Sequence, residues 1–377
     1  MKNFVKLIQR IHKERFSVIM HKIVTEKIPV AFLSIAPIAQ AVDSAKNFRT
    51  QGLNITKLFV IDNNPLPNDL DFEVADIFDA AQIVPQPEYI FTDTVIDVRV
   101  ALKNFPKSTV LTLNHGNTDH IYEMFMTHLD DLQEVYESLI DEESKKTFRG
   151  YWLSSITNRL ADIVYSKSAH YLINGFIPTR GAVVIDGGVF DGGTAAVFAE
   201  MGYKVYGFEM NKENYETARK IAKEKKFVLE NLGLGAQKGE MNYVPSGGST
   251  HFDSNGSAVA QITTIDAYVR EKNLPRVDFI KLDVEGAELD ILKGAVITIA
   301  QYKPILALSA YHKLDDFWML MNFVKSIRPD YEFALRQSFD SIEDAPSTYS
   351  KELVALLKNL NLEPFLCWYN ECVLFAR

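Results

Sequence analysis

The stretch that most constrains this chain is Val183-Val184-Ile185-Asp186-Gly187-Gly188-Val189-Phe190-Asp191-Gly192-Gly193-Thr194. An apolar β-branched run stops at an acid and passes into closely spaced glycines. A continuous apolar run reads as a strand buried on both faces of a parallel sheet. Glycines just beyond it let the backbone turn sharply into a helix whose free N–H groups face a ligand. Such a turn places a crevice at the carboxyl edge of an open α/β sheet. A dinucleotide site would show G-x-G-x-x-G against a pyrophosphate, whereas here Asp186 precedes the loop and Asp191 sits inside it. Two carboxylates repel a diphosphate and suit a sulfonium and an ammonium, so a cationic amino-acid cofactor is expected. The positions expected to hold it are Asp186, Gly187, Gly188, Phe190, Asp191 and Gly192.

Downstream the alternation continues. A helix over TAAVFAEMG leads to the strand KVYGFE, and a helix over KENYETARKIAKEKK leads to FVLENLGLG. VDFIKLD, a helix over AELDILKGAVITIA and the strand PILALSAYH follow, with YEFALR and ECVLFAR in the tail. Glu209, with Met210 beside it, closes the second strand about 20 residues beyond the glycine turn, where a carboxylate reaches both hydroxyls of a ribose. The fourth strand ends Lys281-Leu282-Asp283-Val284-Glu285-Gly286-Ala287-Glu288, and its edge faces the same crevice. Unpartnered buried carboxylates are costly, so Asp283 and Glu285 are expected to be functional, Asp283 toward cofactor as well as acceptor. Glu288 suits the N-terminus of the following helix. His312, after the fifth strand, stands where it would take a proton from an acceptor hydroxyl. Tyr171 precedes the first strand, where it either packs in the core or covers the cofactor. No ligand spacing requires a metal, although Asp283 and Glu285 with a neighbouring Asp or His are the residues an oxygen-rich magnesium site would use.

The N-terminal part reads differently. Residues 1–25 form an amphipathic helix with Phe4, Ile8 and Ile11 on one face, which docks on the protein itself rather than on a membrane. Residues 26–120 alternate strand and helix as a smaller Rossmann-like layer. Its first strand is followed by Ser34-Ile35-Ala36-Pro37-Ile38-Ala39, whose side chains obstruct close backbone approach to a phosphate. Asp62 in FVIDNN sits where a ribose acid would, and reads more readily as a turn residue. Residues 121–175 are a charge-rich helical connector, and 176–377 form the second α/β domain.

Composition enters as a set of exclusions. The net charge of −9 over 377 residues, without a long basic run, argues against a general nucleic-acid surface and for a small-molecule or glycan partner. No uncharged apolar run reaches the roughly 18 residues needed to span a bilayer, and no secretory leader is expected. The two cysteines, Cys367 and Cys372, give neither a disulfide framework nor a zinc cluster and fit a reducing compartment, so the protein is expected in the cytoplasm.

The run DFIKLDVEGAELDILKGA, with IDGGVFDGGT and VYGFEMNKENYE upstream, resembles the FkbM-type methyltransferase family over roughly residues 130 to 377. The approach segment and the tail resemble a bacterial branch of that family with an extra N-terminal α/β domain. The resemblance implies a class I methyltransferase sheet of five parallel strands closed by an antiparallel pair. It further implies S-adenosylmethionine as cofactor and O-methylation of a hydroxyl on a sugar or other metabolite. Asp186, Gly188 and Gly192 fall on the family's cofactor loop, Glu209 on its ribose acid, and Asp283 with Glu285 on its active-crevice acids. Phe190 and Gly193 depart from residues common at those positions. Two other classes stay open at this point: a nicotinamide-dependent oxidoreductase, which lacks its glycine motif in either half, and a non-catalytic scaffold, against which the retained acids argue.

Overall fold

The computed structural model describes residues 2–60, 70–77, 85–113, 117–338, 340–341, 365–366 and 371–377. The chain divides into two compact units. The first takes Met1–Asp130, Lys146–Tyr165 and Phe339–Tyr369, the second Asp131–Lys145, Ser166–Ser338 and Asn370–Arg377. The segment 121–175, expected as one connector, is thus shared between the units.

In the first unit β1 (Val30–Leu33), β2 (Ile55–Val60), β3 (Glu73–Asp76), β4 (Tyr89–Thr92) and β5 (Thr109–Thr112) form a parallel sheet in the order β3-β2-β1-β4-β5. Phe32, Phe59 and Phe91 are fully buried on its central strands. Residues 1–25 are two helices, Lys2–Glu14 and Phe16–Thr25, rather than one, because the chain leaves helical geometry at Arg15 (φ −58°, ψ 143°). Phe4, Leu7 and Ile11 are the buried face of the first helix, and Phe4 packs near Phe125 and Phe148 at centroid distances of 6.4 and 6.5 Å. Asp62 lies outside the described residues, as does Cys367.

The second unit carries the larger sheet. It contains β6 (Val183–Gly187), β7 (Lys204–Phe208), β8 (Val228–Glu230), β13 (Phe279–Leu282), β14 (Ile305–Ser309), β15 (Phe333–Gln337) and β18 (Cys372–Ala376). Their order is β15-β18-β14-β13-β6-β7-β8, with β18 antiparallel to both its neighbours. β14, β13, β6, β7 and β8 pair in parallel. Every residue of β6, β13, β15 and β18 is buried, as a sheet covered on both faces requires. A second sheet of the same unit has the order β11-β10-β12-β9, from β9 (Gly233–Leu234), β10 (Gly239–Val244), β11 (His251–Phe252) and β12 (Ala258–Thr263). β16 (Asp340–Ser341) and β17 (Phe365–Leu366) form an antiparallel pair. Within the second unit, Arg336 of β15 reaches back to Asp141 (2.8 Å) and Ser144 (2.6 Å). Among the described residues no helix is long and apolar enough to cross a membrane.

Candidate active site

The strand order of the larger sheet reverses between β6 and β13, the point at which an open α/β sheet holds a ligand beyond its strand ends. The glycine turn leaves β6 through three left-handed residues, Gly188 (φ 78°), Phe190 (φ 54°) and Gly192 (φ 96°). Gly188 is fixed by packing as well as by φ. A Cβ built on it would stand 1.8 Å from the carbonyl oxygen of Asp283, so the backbones after β6 and β13 touch and admit no side chain there. Gly192 caps the helix Gly193–Glu200, and Asp191 accepts the Gly193 N–H at 2.9 Å. Phe190 is half-exposed on the turn.

Glu209 ends β7 with both carboxylate oxygens engaged. Oε2 accepts the N–H of Phe190 (2.9 Å) and Oε1 that of Asn211 (2.7 Å). Asn211 in turn caps the helix Lys212–Lys225 by accepting from Glu213 and Asn214, so one acid ties the glycine turn to the next helix start. Burial raises the Glu209 pKa, with the two N–H donors pulling the other way. Met210 packs with Tyr243, Phe252 and Ile262 of the second sheet.

Asp186 is placed otherwise than its expected ammonium-binding role requires. It has no exposed surface, and its Oδ1 lies 3.1 Å from the Lys281 ammonium on the neighbouring strand. The two residues are direct register partners across β6 and β13. Lys281 Nζ also donates to the carbonyl oxygens of Gly188 (2.6 Å) and Gly187 (3.3 Å). Burial works against the charge on Lys281, but the carboxylates of Asp186, Asp283 and Glu209 hold its pKa above the ordinary lysine value. Asp186 is therefore the counter-ion of an internal clamp on the glycine turn: a carboxylate with no accessible surface, already facing a cation, does not meet a ligand ammonium in this geometry.

Asp283 stands just past β13. Tyr171 donates its hydroxyl to Oδ2 (2.8 Å) and Tyr311 donates to Oδ1 (3.2 Å). Tyr171, in left-handed backbone (φ 61°), is buried, stacks on His170 at 4.0 Å and has the Lys281 ammonium 5.3 Å from its ring centre. Burial would raise the Asp283 carboxyl, but Lys281, His312 and the Tyr171 hydroxyl outweigh it and hold it below the usual carboxylate range. Its side chain keeps 28% exposure, so this anion is open to a ligand.

His312 is enclosed by acids. Nδ1 lies 2.8 Å from Glu288 Oε1, and Nε2 lies 3.6 Å from both Asp283 Oδ1 and Glu285 Oε2. Burial lowers the imidazole pKa, but Glu285, Glu288 and Asp283 lift it to about 10. A ring protonated at neutral pH has no lone pair for an acceptor's proton, so the role expected of His312 as a base does not fit its surroundings. Glu288 is fully buried and accepts both the His312 ring and the Val284 N–H (3.0 Å), turning into the site instead of serving only the helix start. Behind it Asp316 is pushed up to about 7 by burial and the nearby Glu288.

Three residues of this site escaped the sequence reading: Lys281, Tyr311 and the inward-facing Glu288. Lys281 left a signal. A single lysine inside the apolar strand Phe279-Ile280-Lys281-Leu282 must have a buried partner, and Asp186 on the neighbouring strand supplies it.

Residues 186–344 match the family profile described as the methyltransferase FkbM domain. Those residues are an FkbM methyltransferase domain. The match begins at Asp186 and takes in Glu209, Asp283, Glu285 and His312. The crystal structure of methyltransferase FkbM from Methylobacillus flagellatus superposes with a TM-score of 0.63 at 15% identity, covering 100% of this chain and 98% of that one. That likeness shows a shared fold over both units. Among curated proteins, the hexuronic acid methyltransferase AglP of Haloferax volcanii is 27% identical over 108 residues, which is 27% of this chain and 45% of that protein. The aligned stretch thus spans under half the relative's length.

Proposed function

We propose that the protein transfers the methyl group of S-adenosylmethionine to a hydroxyl oxygen of a sugar, an acidic sugar being favoured. The observation that carries this reading is the open, anionic Asp283, fixed by two tyrosine hydroxyls at the same strand edge as Glu209 and the glycine turn. The residues present fit such a donor. The turn is bare of side chains at Gly188, a carboxylate closes β7 where a ribose would lie, and the edge carries acids that suit a sulfonium and repel a diphosphate. The name of the curated relative, a hexuronic acid methyltransferase, supports a sugar acceptor.

In this reading each side chain has a task. Glu209 holds the ribose hydroxyls while its contacts with Phe190 and Asn211 keep the turn shaped. Lys281 and Asp186 lock the carbonyls of Gly187 and Gly188 from within. Asp283 accepts a hydrogen bond from the acceptor hydroxyl, orients an oxygen lone pair toward the methyl carbon and takes the proton as the new C–O bond forms and the C–S bond breaks. Little more than in-line placement is needed, because the donor supplies a good leaving group. Calorimetric titration with S-adenosylhomocysteine and NAD tests the donor: saturable binding of the first without the second is expected, and NAD binding alone would overturn the reading. Glu209→Ala is expected to weaken S-adenosylhomocysteine by tenfold or more, matching the loss of about 1.5–3 kcal/mol of charged hydrogen bonding. Asp283→Asn is expected to retain that affinity within a few-fold and to lose turnover on uronic acid glycosides.

A further inference from the structure

The outward face of residues 3–27 has no part in methyl transfer. The first 60 residues hold ten Lys and Arg against three Asp and Glu, whereas the whole chain has 40 against 49. An asymmetry of this kind points to an anionic partner. The two helices Lys2–Glu14 and Phe16–Thr25 place these charges. Phe4, Leu7 and Ile11 are buried on the first helix, and Lys6 and Lys13, seven positions apart and so nearly two full turns, share its opposite, exposed face. On the second helix Ile23 is buried, and Val18, His21, Lys22 and Thr25 form an exposed stripe at i, i+3, i+4 and i+7. Arg15 alone joins the two helices, and Lys27 is exposed just past the second. The arginines of this region are engaged. Arg10 pairs with Glu14 (3.0 Å) and Asp162 (2.9 Å), Arg15 lies 4.8 Å from the Tyr122 ring centre, and Arg49 donates to the Asp71 carbonyl. The exposed lysines are not: among the described residues Lys6, Lys13, Lys22 and Lys27 enter no ion pair. Of the two acids in 2–27, Glu14 is held by Arg10 and Arg159, and Glu26 alone is exposed.

The kind of anionic partner follows from the side chains. Lysine is a compact, hydrated point charge, whereas a firm grip on single phosphates of a nucleic acid calls for free arginine forks. Val5, Val18 and Val24 stand exposed beside the lysines, at 46, 40 and 38%. Lysines interleaved with apolar side chains on surface helices suit the boundary of an anionic bilayer, where charge draws the helices in and the valines enter the headgroup layer. We propose that this lysine and valine face docks the protein on an anionic lipid bilayer. The contact is peripheral, because Phe4, Leu7, Ile11 and Ile23 are already buried in the first unit, and it is independent of the methyl donor and acceptor.

Co-sedimentation of the full chain with vesicles tests the docking face, comparing phosphatidylcholine alone with equal parts of phosphatidylcholine and phosphatidylglycerol. Binding is expected to the mixed vesicles only. It should be lost between about 0.1 M and about 1 M salt, as the screening length falls from about 10 to about 3 Å. A lysine near an anionic surface strengthens binding about fivefold, so Lys6→Gln combined with Lys13→Gln should lower partitioning about 25-fold. Lys220→Gln combined with Lys223→Gln removes the same charge from the exposed face of the helix Lys212–Lys225 in the second unit and should leave partitioning unchanged. All four lysines are exposed, so both double variants are expected to melt like the parent. Absence of binding to the mixed vesicles, or an equal loss in the two double variants, overturns the proposal. Tighter retention on duplex DNA than on vesicles of matched anionic charge would overturn the bilayer and give the face to nucleic acid. Salt-sensitive self-association without vesicle binding would give it to a second copy of the chain and overturn the bilayer equally.

Discussion

Both units order a parallel sheet in the same way about a crossing point, β3-β2-β1-β4-β5 in the first and β8-β7-β6-β13-β14 in the second. They differ in what stands at the strand ends. After β1 come Ser34, Ile35, Ala36 and Pro37, with the Ser34 hydroxyl accepting the Ala36 N–H, and the neighbouring β4 ends in the buried Thr92 ahead of Asp93, whose carboxyl burial pushes up. After β6 come two glycines and a chain of left-handed residues, and the flanking strands lead to Glu209 and Asp283. One topology thus carries a turn of side-chained residues after its first strand in one unit and a glycine-rich turn in the other. Sheet order supplies the crevice; the side chains at its rim decide whether it holds a ligand.

The sharpest way to break this comparison is to exchange the turns' backbone demands. Gly188→Ala places a methyl group inside the Asp283 carbonyl and is expected to cost more than about 4 kcal/mol, seen as loss of the cooperative melt of the second unit. Lys281→Met should follow at about 3–5 kcal/mol, because Asp186 is left buried beside no cation; combining it with Asp186→Asn should restore much of the loss in denaturant titrations. A pH series comes next. The His312 pKa is about 10 in the folded protein, above its ordinary value near 6.5, so its contribution is complete below about pH 6.5 and lost as pH rises through 10. In chelator, the parent's melting temperature should fall more steeply between pH 7 and 10 than that of His312→Gln. The smallest effect belongs to the first unit, where Ala36→Gly should cost no more than about 1 kcal/mol, since that turn makes no use of glycine's freedom.

Much of this architecture is legible in the residues because local and global demands coincide. The apolar runs at Val183 and Phe279 are strands, and the glycines beyond Asp186 are a turn, whatever surrounds them. The acids at the carboxyl edge follow from the alternation, so Glu209 and Asp283 are legible at strand ends from the pattern alone. What stayed hidden depends on pairing across the sheet. Asp186 reads as a ligand group until Lys281 is seen opposite it, and His312 reads as a base until three carboxylates are seen around it. Charge neutralisation is a property of neighbours in space, and the register that makes Asp186 and Lys281 neighbours spans 95 positions of chain (281 − 186). The sharing of 121–175 between the units is hidden for the same reason.

The placement of β18 between β14 and β15 has a consequence for how the protein is made. A chain that has emerged from the ribosome only as far as residue 338 can fold β6, β7, β13 and β14, yet β14 then presents a bare apolar edge whose hydrogen-bonding partner has not been synthesised. Such an edge recruits foreign strands. Completion of the sheet therefore waits on a late, sequence-distant insertion, and the interval before it is when the nascent protein is most exposed to aggregation and to chaperone capture.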